Sequence, residues 1–352
     1  MLTPSLFIKN NDAMKEHKIS WLNVPGFKPE TWNPILGCSK TSPGCDNCYA
    51  ERMAHRLSNI SATSYYKYVT NKNGKWNGRS YFHEEVLSNP SRWKKPRAVF
   101  VNSMGDLFHE SISFDWVDRV FNEMEANPQH LFFVLTKRAE RMFEYTIRYG
   151  PGAFPKNIWW GVTAENQEQA DKRIPFLYRI ATSNTFVSCE PLLGYIDLIA
   201  TNKPTPTECP VCHEDIDVWD GLKVGSVLPC VKCGSDLIVS PHSTNVPWFE
   251  STGLGWILVG GESGKNARPA NPNWVMGLKE YAGQRKIPFH FKQWGEWFPS
   301  HEVIWMRDKI NREKYEANEI VSEGIPFWRV GRKKAGANII GQEIKEFPII
   351  NL

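Results

Sequence analysis

Six short apolar runs recur along the chain at a spacing that matches one β-strand followed by one helix. They start at residues 98, 131, 158, 185, 256 and 289, so the gaps between starts are 33, 27, 27, 71 and 33 residues. A strand with its crossover helix needs about 30 residues, which fits every gap but one. The runs are continuously apolar, as parallel strands covered on both faces are. They are Ala98–Val101, Leu131–Leu135, Ile158–Val162, Thr185–Val187, Trp256–Val259 and Phe289–Phe291.

This repeat predicts an α/β fold: a parallel β/α barrel, full or partial and TIM-like, over residues 20–300. An open doubly wound sheet is the alternative. We expect a first strand near Trp32–Leu36, just before a cysteine-rich loop. Helices are expected over residues 113–126, where apolar side chains share one face, and over 166–180, where the charges suit the helix dipole. Residues 301–352 are expected to form a small β-rich C-terminal cap.

The one long gap contains four of the eight cysteines, in two C-x2-C pairs that 17 residues separate. Four thiolates at this spacing are typical of a closed, structural zinc site, with a rubredoxin-like iron site as the alternative. We therefore expect an inserted zinc-ribbon module at residues 200–250, which either binds nucleic acid or a partner protein or only stabilises a long loop. The expected zinc ligands are Cys209, Cys212, Cys230 and Cys233.

The N-terminal segment lacks the basic, apolar and small-residue order of a signal peptide, and the apolar runs fall short of the ~18 residues of a membrane span. These features predict a cytoplasmic protein without a membrane partner, in which clustered cysteines bind metal rather than form disulfides. The formal net charge of +4 neither requires nor excludes nucleic acid. The 15 tryptophans indicate either a large aromatic core or a cleft that stacks flat ligands.

Three further cysteines, Cys38, Cys45 and Cys48, lie close together in the stretch GCSKTSPGCDNC. Thiolates on a loop rich in glycine and proline suit either zinc or an iron–sulfur cluster. Because no histidine is adjacent, three cysteines would leave one iron of a 4Fe–4S cluster without a protein ligand. An open iron can bind a substrate or a cofactor. Zinc with a fourth ligand from elsewhere in the chain is the alternative.

Polar side chains follow the predicted strands at the point where each strand ends. In parallel barrels these carboxyl ends meet at one face, which carries the active site. Amides, carboxylates and cations such as Arg138 and Arg268 at several ends predict one convergent pocket, whereas a single polar end would only meet solvent. The cofactor-binding candidates are Asn102, Ser103, Asp106, Thr163, Glu165, Gly260, Gly261 and Glu262. The catalytic candidates are Glu190, Lys292 and Glu296.

Three of these candidates have a structural alternative. Asp106 is placed to accept from the ammonium or ribose of a cofactor, or to cap the helix that follows it. Lys292 and Glu296 flank two tryptophans, which either frame a stacking pocket or pack in the core.

The text WNPILGCSKTSPGCDNCYAERMAHR resembles the signature of a three-cysteine-motif family associated with phages and mobile elements, whose function is unknown. RAVFVNSMGDLFHE, SCEPLLG, LVGGESGKNARP and FKQWGEW extend the resemblance over residues 20–300. That family in turn resembles radical S-adenosylmethionine (SAM) enzymes, whose barrel begins with three cysteines after the first strand. The resemblance implies that Cys38, Cys45 and Cys48 hold a 4Fe–4S cluster whose open iron binds SAM.

The chain departs from the radical SAM pattern in three places. The cysteine spacing is C-x6-C-x2-C instead of C-x3-C-x2-C, and Asn47 stands where an aromatic residue is usual. The glycine-glycine-glutamate contact to SAM belongs after the second strand, whereas Gly260–Glu262 follow the sixth predicted strand, so that role is not transferred to Glu262.

Two functional hypotheses follow from these residues. The first is a radical SAM-like iron–sulfur enzyme that cleaves SAM to generate a radical on an unknown substrate. The tryptophans and the phage association suggest a nucleotide or a nucleic-acid base as its substrate class. The second is a non-enzymatic zinc-binding protein that binds nucleic acid or a partner protein.

Overall fold

The computed structural model describes residues 19–148, 154–180, 182–199, 254–300 and 319–350, together with four short strands between residues 207 and 238. The strands are β1 (Lys28–Trp32), β2 (Ile35–Leu36), β3 (Tyr81–Phe82), β4 (Arg97–Val101), β5 (Leu131–Thr136), β6 (Ile158–Thr163), β7 (Thr185–Cys189), β8 (Thr207–Glu208), β9 (Asp215–Ile216), β10 (Val227–Pro229), β11 (Asp236–Ile238), β12 (Trp256–Gly260), β13 (Phe289–Gln293), β14 (Trp297–Pro299), β15 (Glu319–Ser322), β16 (Ile325–Arg329), β17 (Asn338–Ile339) and β18 (Gln342–Glu343).

The α-helices are α1 (Tyr49–Ser58), α2 (Glu84–Leu87), α3 (Asn89–Arg92), α4 (Phe114–Glu125), α5 (Ala139–Ile147), α6 (Gln167–Tyr178), α7 (Pro272–Arg285) and α8 (Arg332–Ala335). Among the described residues, 3₁₀ helices cover Ser20–Leu22, Pro43–Cys45 and Ser61–Tyr68. Within the described ranges, no helix is both long enough and apolar enough to span a membrane.

Seven parallel strands form one sheet in the order β1-β4-β5-β6-β7-β12-β13. The order follows the chain without reversal, so the sheet has no switch point of the doubly wound kind. The 3₁₀ helix Ser20–Leu22 contacts β1 and β4 near one edge of the sheet and β13 at the other edge, because the sheet is curled. The prediction of a partial β/α barrel is therefore confirmed, and the open sheet is not observed.

Successive side chains of each strand lie on opposite faces of the sheet and pack in two separate cores. The outer face contributes residues such as Val99 and Trp160, which pack beneath the helices. The concave face contributes Phe133 and Trp256, which surround Trp21 at ring-centroid distances of 5.6 and 6.3 Å. These buried indoles favour the first of the two explanations for the many tryptophans, a large aromatic core.

The first strand was predicted in the wrong place. The sheet begins with Lys28–Trp32, and Ile35–Leu36 forms a separate short strand that pairs antiparallel with β3. The break falls at Asn33 and Pro34: Pro34 has no N–H for a ladder, and the Asn33 side chain accepts from the Met104 backbone N–H at 2.9 Å. The two predicted helices are confirmed as α4 and α6.

Some predictions fall outside the described residues. Cys209, Cys212, Cys230 and Cys233 all do, although the short strands around them pair antiparallel as β8 with β9 and β10 with β11. In the C-terminal part, β14, β16 and β15 form a three-stranded antiparallel sheet, and residues 301–318 are not described.

The concave core gives a stability prediction. Trp21→Ala removes the ring that Phe133 and Trp256 surround, so we expect the free energy of unfolding to fall by about 3–5 kcal/mol. Chemical denaturation measures this change. Ile349→Ala, at a side chain that is 87% exposed, serves as the control and should change it by less than about 0.5 kcal/mol. A Trp21→Ala protein as stable as the control would contradict this account of the core.

Candidate functional site

The three neighbouring cysteines lie on the segment of residues 37–48, here called the Cys loop, which runs from β2 to the start of α1. Gly37 begins the loop with a φ of +101°, a backbone angle that favours glycine. It also pairs in an isolated bridge with Gly105, which follows β4. A Cβ on Gly105 would lie 2.9 Å from the Gly37 carbonyl oxygen, so the two backbones approach as closely as glycine allows.

Arg138, just after β5, is the first of three contacts from strand ends to the Cys loop. Its Nη1 lies 3.7 Å from the Cys38 Sγ, and its Nη2 donates to the Ser39 side chain at 2.8 Å. The guanidinium is held in turn by Asp106, at 3.1 Å from Nη1, and by Glu110, at 2.8 Å from Nε. A buried positive charge therefore lies against the first thiol of the loop.

Asp106, predicted as a cofactor ligand, has its hydrogen bonds within the chain. Besides Arg138, its carboxylate accepts from the Thr136 hydroxyl at 2.6 Å and from the backbone N–H groups of Phe108 and Lys137 at 3.0 and 3.2 Å. The side chain is 6% exposed. Asp106 thus joins the ends of β4 and β5 and positions Arg138. The predicted alternative, a helix cap, is wrong, because the next helix, α4, begins at Phe114 with Ser113 as its N-cap, and the bond from Phe108 closes a local turn instead.

Glu165, which follows β6, provides the second contact. Its Oε1 accepts from the Gly44 backbone N–H at 3.1 Å, and its Oε2 lies 2.8 Å from Arg173 Nη1. Burial alone would raise the pKa of Glu165, but the charges of Arg173 and Lys137, with hydrogen bonds from the loop, hold the pKa below its ordinary value. Arg173 also donates to the Thr163 carbonyl oxygen at 2.8 Å.

Glu262 and Arg268, which follow β12, provide the third contact. The carboxylate of Glu262 binds Arg268 through both oxygens, at 2.7 Å from Nη2 and 2.9 Å from Nε. Arg268 then donates from Nη2 to the Pro43 carbonyl at 2.8 Å and from Nη1 to Asp46 at 3.3 Å. Glu262, predicted as a cofactor ligand, positions the arginine that holds the Cys loop.

The predicted residues after β4 lie beside the end of the Cys loop. The Tyr49 hydroxyl donates to the Ser103 carbonyl at 2.7 Å. Asn102, with a φ of +55°, accepts from the Ile35 backbone N–H at 3.2 Å. Its Nδ2 is buried and has no hydrogen-bond partner among the described residues, so one donor is left over in the predicted pocket.

The three thiols of the Cys loop are half-buried and near enough to influence one another. Burial raises the pKa of Cys38 to about 12, with Asp106 adding to the shift and Arg138 opposing it. Burial also opposes ionisation of Cys45, but Lys137 and hydrogen bonds within the loop outweigh it and lower the pKa. In the described part of the chain, no three histidine, cysteine or carboxylate side chains are grouped as a metal site would require.

Of the three catalytic candidates, the structure brings two together. Lys292 Nζ lies 3.0 Å from Glu190 Oε1, at the end of the concave face. Gly260 packs against the same Glu190 carboxylate, where a Cβ would collide with it.

Glu296 and Gly261 have structural contacts with the main chain instead. Glu296 accepts from the Gly264 backbone N–H at 3.0 Å, and Gly261 leaves no room for a Cβ against the Trp294 carbonyl. Cys189 is buried in the outer core, where burial raises the pKa of its thiol.

Sequence reasoning missed the partner of Glu165. Arg173 lies within α6, eight residues after the carboxylate it binds, whereas the candidates were sought only where strands end. The available signal was an arginine on the inward face of a helix that follows an acidic strand end.

Comparison with protein families shows one match. A family model described as "Protein of unknown function (DUF5131)" matches residues 16–348. Comparison with curated proteins and with solved structures finds no match to the chain. The expected resemblance to a family of unknown function is therefore confirmed at that level.

The Arg268 contact predicts how accessible the loop thiols are. Arg268→Gln removes the bonds to Pro43 and Asp46, so we expect alkylation of Cys45 and Cys48 to become several-fold faster. Peptide mass spectrometry after timed alkylation measures this rate. Because the change also leaves the buried Glu262 carboxylate without its cation, the free energy of unfolding should fall by about 1–3 kcal/mol.

Lys265→Gln is the control for this change, since Lys265 is exposed and lies three residues away. Equal alkylation rates in the Arg268→Gln and Lys265→Gln proteins would show that Arg268 does not hold the loop.

The Asp106 network predicts a large loss of stability. Asp106→Asn removes the charge that compensates buried Arg138 and sets an amide against several donors, so the free energy of unfolding should fall by about 3–5 kcal/mol. Thermal and denaturant unfolding measure it. Asp118→Asn, at an exposed pair with Arg148, is the matched control and should cost less than about 1 kcal/mol. A stable, well-folded Asp106→Asn protein would contradict the structural role.

Proposed function

We propose that this chain, which belongs to the family of proteins of unknown function DUF5131, is an iron–sulfur enzyme of the radical SAM kind. In this proposal Cys38, Cys45 and Cys48 bind a 4Fe–4S cluster, and its open iron binds S-adenosylmethionine. The observation that carries the proposal is the attachment of the Cys loop to three strand ends at the carboxyl end of a partial β/α barrel. This is the end at which parallel barrels carry their chemistry.

The chemistry of the donor set suits such a cluster. Three thiols without a histidine supply the ligands for three irons and leave the fourth open. The N-terminus of α1, whose N-cap is Cys48, favours an anionic group beside it, and so does the Arg138 guanidinium at Cys38. Because the sulfur atoms do not form a closed ligand set, binding would require the thiol side chains to turn toward a common centre.

When bound, the cluster would supply one electron, received from an external reductant, for the reductive cleavage of S-adenosylmethionine into methionine and a 5′-deoxyadenosyl radical. The chain's own residues would bind and orient the reactants. The Nδ2 of Asn102 is buried and has no partner among the described residues, so it would serve a carboxylate or hydroxyl of the cofactor if the side chain turned toward it. Glu190 and Lys292 offer an acceptor and a cation to polar groups of the substrate. The substrate class we propose is a nucleotide or a nucleic-acid base.

Structural zinc at the second cysteine set is part of the same proposal. One C-x2-C pair falls between β8 and β9, and the other falls between β10 and β11. Both of these strand pairs are antiparallel. Four thiolates on two such connections suit a tetrahedral zinc ion whose role is to stabilise the inserted segment.

Anaerobic reconstitution tests the cluster. The wild-type protein should bind iron and sulfide and gain the visible absorbance of thiolate-ligated iron, and it should release 5′-deoxyadenosine when reduced with SAM. Cys45→Ala should lose the absorbance and the product. Cys189→Ala removes a buried core thiol outside the Cys loop and should keep both.

Full absorbance in the Cys45→Ala protein would refute the ligand assignment. A colourless wild-type protein that contains only zinc would favour the non-enzymatic zinc-binding protein instead.

A further inference from the structure

Three tyrosines beside the Cys loop stack on one another in a column, here called the tyrosine column: Tyr68, Tyr81 and Tyr65. The rings of Tyr68 and Tyr81 lie 5.5 Å apart with an interplanar angle of 11°. The rings of Tyr81 and Tyr65 lie 5.9 Å apart at 8°. Tyr68, at the outer end, is 65% exposed, so one aromatic face is open to a further flat ring.

The surface around the tyrosine column is positively charged. Lys67 is exposed and directly precedes Tyr68 in the chain. Arg79 is also exposed and stands two residues before Tyr81. Residues 49–83 contain six lysines and arginines, all exposed, and a single acidic residue. That residue, Glu51, is buried and is paired with Lys75 at 3.0 Å. Just after this segment, Glu84 is paired with Arg119, and exposed Glu85 lies 4.0 Å from His83, whose ring contacts Tyr65. The acidic side chain beside the column therefore lies at its Tyr65 end, opposite the open face of Tyr68.

The tyrosine column is joined to the Cys loop by main-chain contacts. Tyr81 pairs with Leu36, which lies two residues before Cys38. The 3₁₀ helix that contains Tyr65 and Tyr68 packs against α1, which begins directly after Cys48. A ligand on the column would thus lie on elements that flank both ends of the Cys loop.

We propose that the tyrosine column and its flanking cations bind single-stranded nucleic acid. An unpaired base would stack on the open face of Tyr68, and Lys67 and Arg79 would contact the adjoining phosphates. A duplex keeps its bases stacked on one another and offers no free base to the ring. For the proposed enzyme, this assignment narrows the substrate class to single-stranded nucleic acid, and in that respect it rests on the proposed function. Binding of the strand itself does not require the cluster.

Fluorescence anisotropy of a labelled oligothymidylate of about 12 nucleotides tests the surface. At about 50 mM salt the full-length protein should bind the strand, and binding should weaken as salt rises. Tyr68→Ala should weaken it at least fivefold, whereas Tyr68→Phe, which keeps the ring, should bind as the wild type does. The plot of log affinity against log salt concentration has a negative slope, and Lys67→Gln should make that slope less steep by about 0.7 because one phosphate contact is lost.

Two matched controls lie elsewhere on the surface. Tyr195→Ala removes a tyrosine that is 56% exposed, and Lys156→Gln removes an exposed lysine. Neither should alter binding. A Tyr68→Ala protein that binds like the wild type, or equal affinity for a duplex of the same length, would overturn the proposal. So would a wild-type protein that does not bind the strand at all.

The same assay on a Cys38→Ser/Cys45→Ser/Cys48→Ser protein separates this proposal from the enzyme. Unchanged strand binding is expected there, and its loss would show that the Cys loop, not the column, holds the strand. If reconstitution fails while binding persists, the enzyme proposal falls and the binding surface stands. If reconstitution succeeds while the wild-type protein binds no strand, the reverse holds.

Discussion

Three pairs of arginine and carboxylate at the carboxyl end of the sheet hold the Cys loop, and the candidate site depends on them. Arg138 with Asp106 and Arg173 with Glu165 are nearly buried, so each pair offsets a desolvation cost through several directed hydrogen bonds. The third pair joins the partly exposed guanidinium of Arg268 to the buried carboxylate of Glu262 through two parallel hydrogen bonds, which fix the orientation of the arginine. Directed bonds of this kind specify one loop conformation, which an apolar contact could not do.

Aromatic side chains fill the concave face of the sheet on the amino-terminal side of the arginine–carboxylate pairs. Large rings at the amino ends of the strands occupy the inside of the curled sheet. Toward the carboxyl ends the inward residues change to Ser188, Glu190 and Lys292. Apolar packing and polar chemistry are therefore separated along each strand, with the Cys loop on the polar side.

The sequence pattern predicted the interior strands because both of their faces are buried, which makes them continuously apolar. It misplaced β1 because that strand, Lys28–Trp32, lies at an edge, contains Pro29 and buries only Trp32. The Cys loop was visible as a motif, since the spacing of its thiols is local. The roles of Asp106 and Glu262 could not be predicted, because the sequence does not show whether a carboxylate after a strand binds a cofactor or an arginine. Only the fold shows that Arg138 and Arg268 donate hydrogen bonds to these two carboxylates.

The packing of Phe347 has a consequence for the order in which the chain can fold. Its ring lies 5.7 Å from Trp256, which also contacts Trp21, and the Trp256 indole donates to the Glu346 carbonyl at 2.9 Å. Residues more than three hundred positions apart thus complete one core. On the ribosome, the strands up to β13 emerge before that cover is available, so the concave core stays open until the last part of the matched domain has been synthesised.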